Sequence, residues 1–343
     1  MRARGLVVLA VVLASATPAA VSVGDEPSTT FTVAFAGAVP VGPGDAFHGG
    51  VVERVSAPLG FAAVLTPDPG LFALRARADP AVRWIEPVGE VHVEGHRNGT
   101  LADRQYALDQ IRAPVANTTF VVGLASVCFV DSGFNPHEDV DVAALLKGTA
   151  NFTGSQAGVV DRLGHGTFVA GVVAANASNG RGIDGLGHIP FYVAKAIADS
   201  GTGTAFDTAD AIAWCADRPD ERLVVSLSLG TRTAARSLQE AVAYADARGR
   251  LIVAAAGNEG CSPCVVFPAA FPEVVAVACT SRFEQRCRFS SAGPEVELAA
   301  PGAGILGLAR DGKSYTSFSG TSMSTPHVAG AAALAWNASP TLT

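Results

Sequence analysis

The 343-residue sequence has no block of like charge, and its 24 Lys and Arg are outnumbered by 31 Asp and Glu, leaving a net charge of -7. A nucleic-acid partner would need a basic face, so that class is excluded. Past the first 20 residues no apolar stretch is long enough to cross a bilayer, which leaves no membrane role once a leader is removed. No second His, Cys or carboxylate stands at ligand spacing from His165, which disfavours a metal there. Cys261-Ser262-Pro263-Cys264 has the look of a zinc half-site, but Cys279 and Cys287 lack the spacing of a second half. Disorder is also excluded. With 49% hydrophobic residues the chain can bury a substantial core, enough for one sizeable domain and a smaller one.

The N-terminus supplies a compartment. Arg2 and Arg4 precede an apolar run from Leu6 to Leu13 and then Ala14-Ser15-Ala16, the order of a secretory signal, so residues 1–20 are expected to be a leader and the product secreted. Of the eight asparagines, Asn98, Asn117, Asn151, Asn176 and Asn337 begin Asn-X-Ser/Thr triplets, which supports export. In an exported protein local disulfides are favoured, Cys261 with Cys264 and Cys279 with Cys287 across a hairpin. Cys128 and Cys215, on a buried strand and a helix, read equally well as free core residues.

Two patterns follow one another along the chain. Phe31 to Phe35, Phe61 to Leu65, Leu71 to Arg75 and Val82 to Ile85 read as strands and Val51 to Leu59 as a short amphipathic helix, together a small α+β unit ending in a linker at Glu94 to Gly99. From Tyr106 onward, short Val/Ile/Leu-rich runs at Val121 to Val130, Phe191 to Ala196, Leu223 to Leu227, Leu251 to Ala255 and Val274 to Ala278 read as strands buried on both faces. Helical patterns lie between them at Gly166 to Ala175, Phe206 to Ala216 and Ala235 to Ala247. The predicted fold is α/β with a mostly parallel sheet, whose strand C-termini should carry the site.

Four short motifs stand at such ends. In Gly320-Thr321-Ser322-Met323-Ser324-Thr325-Pro326-His327, Ser322 opens an Ala-rich helix with no polar face, where peptide dipoles favour negative charge and Pro326 is placed in the tolerant first turn. A Thr-Ser pair there is ordinarily a plain cap. Asp131-Ser132-Gly133 ends a strand, where an Asp is more often a turn former. Gly164-His165-Gly166-Thr167 opens a helix with an imidazole between glycines, and Ala256-Gly257-Asn258 ends a strand in an amide able to donate to an oxyanion.

Taken together these motifs resemble the subtilisin-like serine proteases, in that family's chain order of Asp, His, Asn and Ser, from about Arg104 to Trp336. The resemblance implies a three-layer α/β catalytic domain over residues 95–343, preceded by a small α+β inhibitory propeptide over residues 21–94, the latter through Asp79-Pro80-Ala81-Val82-Arg83-Trp84-Ile85-Glu86-Pro87. Carried over by position, Ser322 is the nucleophile, His165 the base and acid, Asp131 its support and Asn258 an oxyanion donor. The substrate would be a polypeptide added as a strand between Ser200-Gly201-Thr202-Gly203 and Ser228-Leu229-Gly230. A pocket of Leu229, Ala255, Ala256 and Gly257 would take medium or large apolar side chains, with Glu259 at its rim tolerating a basic one. No cofactor is implied for catalysis, and a monomer is expected, with its own propeptide as inhibitor. Structural calcium is implied beside Asn176 to Gly182, with Asp139 and Asn179 as ligands, although Arg181 adds positive charge there. Phe168 departs from the family's usual His, and the chain is expected to be cut short, since the family continues for another helix. Two other classes compete: a silent peptide-binding relative, which the intact motifs disfavour, and an α/β-hydrolase esterase, which would want Gly-X-Ser-X-Gly and its histidine last.

Overall fold

The computed structural model describes residues 29–56, 61–87, 101, 104–113, 125–339 and 341–342; the expected leader, the linker and the sequons at Asn98 and Asn117 lie outside them. The chain divides between Val93 and Glu94 into two compact units.

The smaller unit is an antiparallel sheet with one helix. Its strands β1 (Thr29–Phe35), β2 (Ala46–Phe47), β3 (Gly50–Ser56), β4 (Phe61–Thr66) and β5 (Val82–Pro87) lie in the order β2-β3-β4-β1-β5, with α1 (Pro69–Ala78) between β4 and β5 in the chain. Phe31, Val33, Val64, Phe72 and Ala76 form its core. Two sequence readings are reversed here. The stretch read as a helix from Val51 is the strand β3, where Val52 is buried between exposed Val51 and Glu53, the two-residue period of a strand carrying stiff β-branched side chains. The stretch read as a strand, Leu71 to Arg75, is helical because Asp68 accepts the Leu71 N–H at 2.9 Å, Pro69 starts the first turn, and Phe72 and Ala76 bury one face four residues apart.

The larger unit runs α2 (Tyr106–Gln110), β6 (Ala125–Asp131), α3 (Val142–Leu145), β7 (Leu146–Asn151), α4 (His165–Ala174), β8 (Phe191–Lys195), α5 (Ala205–Ala216), β9 (Arg222–Leu227), α6 (Arg236–Asp246), β10 (Leu251–Ala255), β11 (Val274–Thr280), β12 (Val296–Pro301), β13 (Ile305–Leu308), β14 (Tyr315–Phe318) and α7 (Thr321–Ala338). Seven of the strands form one parallel sheet in the order β12-β11-β10-β9-β6-β8-β7. Alternation along β6 sends Val127 and Phe129 into a core shared with α4 and α7, and Cys128 and Val130 into a second core shared with α5 and α6. The result is the expected three-layer α/β domain. Since β6 is flanked by β8 on one side and β9 on the other, its C-terminal end sits where the strand order reverses, the place such sheets leave a crevice.

All six cysteines are paired: Cys261–Cys264, Cys279–Cys287 and Cys128–Cys215. The third pair decides between the two alternatives that the sequence left open for these cysteines, in favour of a disulfide. Cys128 points from β6 toward the last turn of α5, where Cys215 lies with its Cα 5.9 Å away, a contact that a separation of 87 positions hides from the sequence. Asn337 begins a sequon, yet it is buried and accepts the Ala125 N–H at 2.9 Å, so its amide serves the core.

Candidate active site

Asp131 ends β6 and is buried, and its Oδ1 accepts the Nδ1–H of His165 at 2.7 Å and the Ser132 N–H at 2.7 Å. That bond fixes the tautomer and leaves Nε2 as the acceptor. His165 opens α4 from Gly164, whose φ of +86° is in the left-handed region. Gly166 is dictated by contact, because a Cβ there would lie 2.2 Å from the Gly133 carbonyl oxygen. Burial lowers the proton affinity of the imidazole, but the charge of Asp131, its hydrogen bond and the charge of Asp161 outweigh this, so the pKa is raised above 6.5.

Asp161 escaped the sequence reading. Its buried carboxylate accepts from Ser132 Oγ at 2.8 Å, from the Gly164 N–H at 2.8 Å and from both the N–H and Oγ of Thr167 at 2.8 Å, binding the Asp131 corner to the start of α4. An Asp four residues before a helix-opening His was the available signal. Fully buried Lys195 was also missed; its Nζ donates to the Ser132 carbonyl and, at 3.1 Å, to the Val160 carbonyl, supporting the same corner from below.

Ser322 is the second residue of α7, and its hydroxyl donates to the Ser228 carbonyl at 3.1 Å rather than to His165. In return Ser228 Oγ donates to the Ser322 carbonyl at 2.8 Å. Pro326 explains the exchange. It stands sixth in the helix, in the second turn and not the first as read from sequence, so the Ser322 carbonyl four residues earlier lacks its helical N–H and Ser228 satisfies it. Phe168 is fully buried and stacks on Phe318 with centroids 4.8 Å apart.

Asn258 follows β10, and its Oδ1 accepts the Thr321 N–H at 2.9 Å and the Thr321 hydroxyl at 3.1 Å. With the oxygen held there, the amide Nδ2–H₂ is the end left to donate. Thr321 also accepts the Gly257 N–H at 3.2 Å, so a residue passed over as a spacer aims the amide.

A cleft of about 510 Å³ opens beside these groups, lined by Asp131 and His165, by Gly201, Thr202 and Gly203 on one side and by Ser228, Leu229 and Gly230 on the other. Ser200 sits outside its lining, bonded to Thr202 through hydroxyls 2.9 Å apart. Ala255, Ala256 and Gly257 do not line it either. Glu259 is not a free carboxylate at a rim: it is paired with Arg232, so a basic side chain would have to compete for it.

The residues proposed for calcium are arranged as a hydrogen-bonded staple. Asp139 Oδ1 accepts from Asn179 Nδ2 at 2.7 Å and Oδ2 accepts the Ile183 N–H at 3.0 Å, and the carboxylate is also hydrogen-bonded by the Tyr315 side chain. Asn179 Oδ1 accepts the Arg181 N–H at 2.9 Å, which fixes the amide with its donor end toward Asp139. Burial raises the Asp139 pKa despite these donors. A hard cation needs six or more oxygens; among the described residues no group of three His, Cys, Asp or Glu could hold a metal, and the two side chains expected as calcium ligands are bonded to each other.

Comparison with known proteins gives the family. The sequence profile of the subtilase family, peptidase S8, matches residues 124–343. Alkaline elastase YaB of Bacillus sp. (strain YaB) is 34% identical over 263 residues, which cover 76% of this chain and 66% of the relative. Thermitase of Thermoactinomyces vulgaris is 37% identical over 234 residues, covering 68% of this chain and 82% of the relative. Among solved structures, a cold adapted subtilisin-like serine proteinase superposes with a TM-score of 0.60 at 30% identity, covering 72% of this chain and 86% of that one. Sphericase gives 0.59 at 32% identity, covering 66% and 82%. The chain spans 66% of the length of the alkaline elastase and of several alkaline proteases.

Proposed function

The chain belongs to the subtilase family, and on that footing we propose that it is a secreted serine endopeptidase that cleaves polypeptides through Asp131, His165 and Ser322 and is made as a self-processing zymogen. The observation that carries the reading is the 2.7 Å bond from His165 Nδ1 to Asp131 beside a cleft whose wall residue Ser228 holds the Ser322 hydroxyl. As substrate enters, that hydroxyl exchanges the Ser228 carbonyl for His165 Nε2 and attacks the peptide carbonyl carbon while the imidazole takes its proton. The tetrahedral oxyanion accepts from Asn258 Nδ2 and from the Ser322 N–H, which belongs to a first helical turn without intrahelical acceptors. His165 returns the proton to the leaving amine. Water then attacks the acyl ester by the same route, with His165 as base. The triad's chemistry requires no cofactor.

Peptide main chain would be gripped between the strip at 201–203 and the strip at 228–230, which gives affinity without reading sequence. Residues 1–20 are proposed as the leader and 21–94 as a propeptide that inhibits residues 95–343, the active unit being a monomer. The export of the product rests on the leader pattern and on three disulfides. Expression of the full chain tests self-processing: wild type is expected to release a fragment of roughly 70 to 80 residues while Ser322→Ala stays whole. Identical processing of both, read by mass spectrometry, overturns the proposal.

A further inference from the structure

A peptide carbonyl poised at Ser322 with its oxygen toward Asn258 must place the side chain of its own residue between the strips that lead away from those two groups. One strip is Leu229-Gly230, following Ser228, and the other ends in Gly257, preceding Asn258. Val266 stands between them. A Cβ built on Gly230 would lie 2.4 Å from Val266 Cγ2, and one built on Gly257 would lie 2.9 Å from Cγ1 and 3.2 Å from Cγ2, so a single isopropyl group touches both walls. Its exposure is 7%.

Val266 has no room to step aside. Its N–H donates to the Ala256 carbonyl at 3.0 Å, and its own carbonyl accepts the Ala270 N–H at 2.9 Å. The next residue, Phe267, exchanges two hydrogen bonds of 2.8 Å with Thr231, so the segment carrying Val266 is tied to both strips. A β-branched side chain is also stiff at χ1. The open cleft touches Leu229, Gly230 and Thr231 but neither Val266 nor Gly257.

We propose that Val266 closes the pocket for the residue on the acyl side of the cleaved bond and limits it to side chains the size of alanine or serine. The inference rests on the endopeptidase reading and replaces the sequence expectation of medium or large apolar side chains at that position. Larger groups would have to displace packed methyls from a well-filled interior, where overpacking is costly.

The test uses peptide anilides identical except for Ala, Leu or Phe at the acyl position, with wild type, Val266→Gly and Val266→Ala. Wild type is expected to favour Ala over Phe in kcat/KM by ~10-fold or more, and Val266→Gly to move that ratio ~10- to 100-fold toward Phe, with Val266→Ala between them. Val266→Ala keeps a Cβ and carries the comparison alone should the glycine variant fail to fold. Equal cleavage of Ala and Phe peptides by wild type, or the same ratio in wild type and variants, overturns the assignment while leaving the endopeptidase reading intact. Failure of wild type to cleave any of the three fells that reading, and the assignment with it.

Discussion

Ser322→Ala is expected to lower kcat on a peptide substrate by about 10⁶-fold with little change in KM, the size found when a subtilisin loses its nucleophile. The fold should tolerate the change. The Ser322 hydroxyl makes one neutral hydrogen bond, to the Ser228 carbonyl, worth about 1 kcal/mol, while the reciprocal bond from Ser228 Oγ to the Ser322 carbonyl does not involve the lost atom. A large fall in rate beside an unchanged melting profile would therefore report chemistry. The residue of activity should remain well above that of water, because Asn258 and the Ser322 N–H still face the oxyanion. A loss under tenfold would mean that another group attacks the carbonyl.

Asp131→Asn is the second large effect, about 10⁴-fold in kcat, as for the equivalent acid of other serine proteases. Oδ1 of Asp131 accepts from both Ser132 N–H and His165 Nδ1–H, whereas Oδ2 is buried with no partner among the described residues. An asparagine has no comfortable orientation in that setting. With its oxygen at the Oδ1 position it keeps both bonds but buries an unpaired NH₂, and turned over it sets a donor against the Ser132 N–H and forces the wrong imidazole tautomer. Either way the charge that supports the imidazolium is gone. The pH dependence gives a second readout. His165 acts as base only when neutral, and its pKa is raised above 6.5, so wild-type kcat/KM should fall as pH drops through a value above 6.5. Removing the Asp131 charge should move that acid limb to lower pH; a limb that stays in place would contradict the coupling.

What was legible in the sequence was what local chemistry determines. The runs of β6, β8, β9, β10 and β11 could be read because strands covered on both faces are apolar throughout, and the C-terminal ends of β6 and β10 delivered Asp131 and Asn258 where a parallel sheet opens; β7, half-exposed along Leu146–Asn151, could not. Glycine at 166 beside Gly133 had a contact to satisfy, which is why the histidine motif is so recognisable. Elsewhere the decisive partner was remote. Leu71 to Arg75 are too short a run for periodicity to separate helix from strand; their Leu, Ala and Arg favour a helix, and the Asp68 cap and a core on one face fix it. Cys128 and Cys215 meet because β6 and α5 pack together, and Pro326 is tolerated because Ser228, 98 residues earlier in the chain, hydrogen-bonds the carbonyl it orphans. Val266 was invisible for the same reason. Its valine looks like any core residue until Gly230 and Gly257 are seen on either side. Arg232 likewise turned Glu259 from a free acid into half of an ion pair.

The most direct measurement is peptide mapping by mass spectrometry after treatment with a fluorophosphonate, which phosphonylates a serine, with loss of fluoride, only where a neighbouring base activates it. The protein is expected to carry one adduct, on Ser322, and His165→Ala to carry almost none. An adduct on a different serine, or undiminished labelling of Ser322 without His165, would contradict an activated triad in this fold.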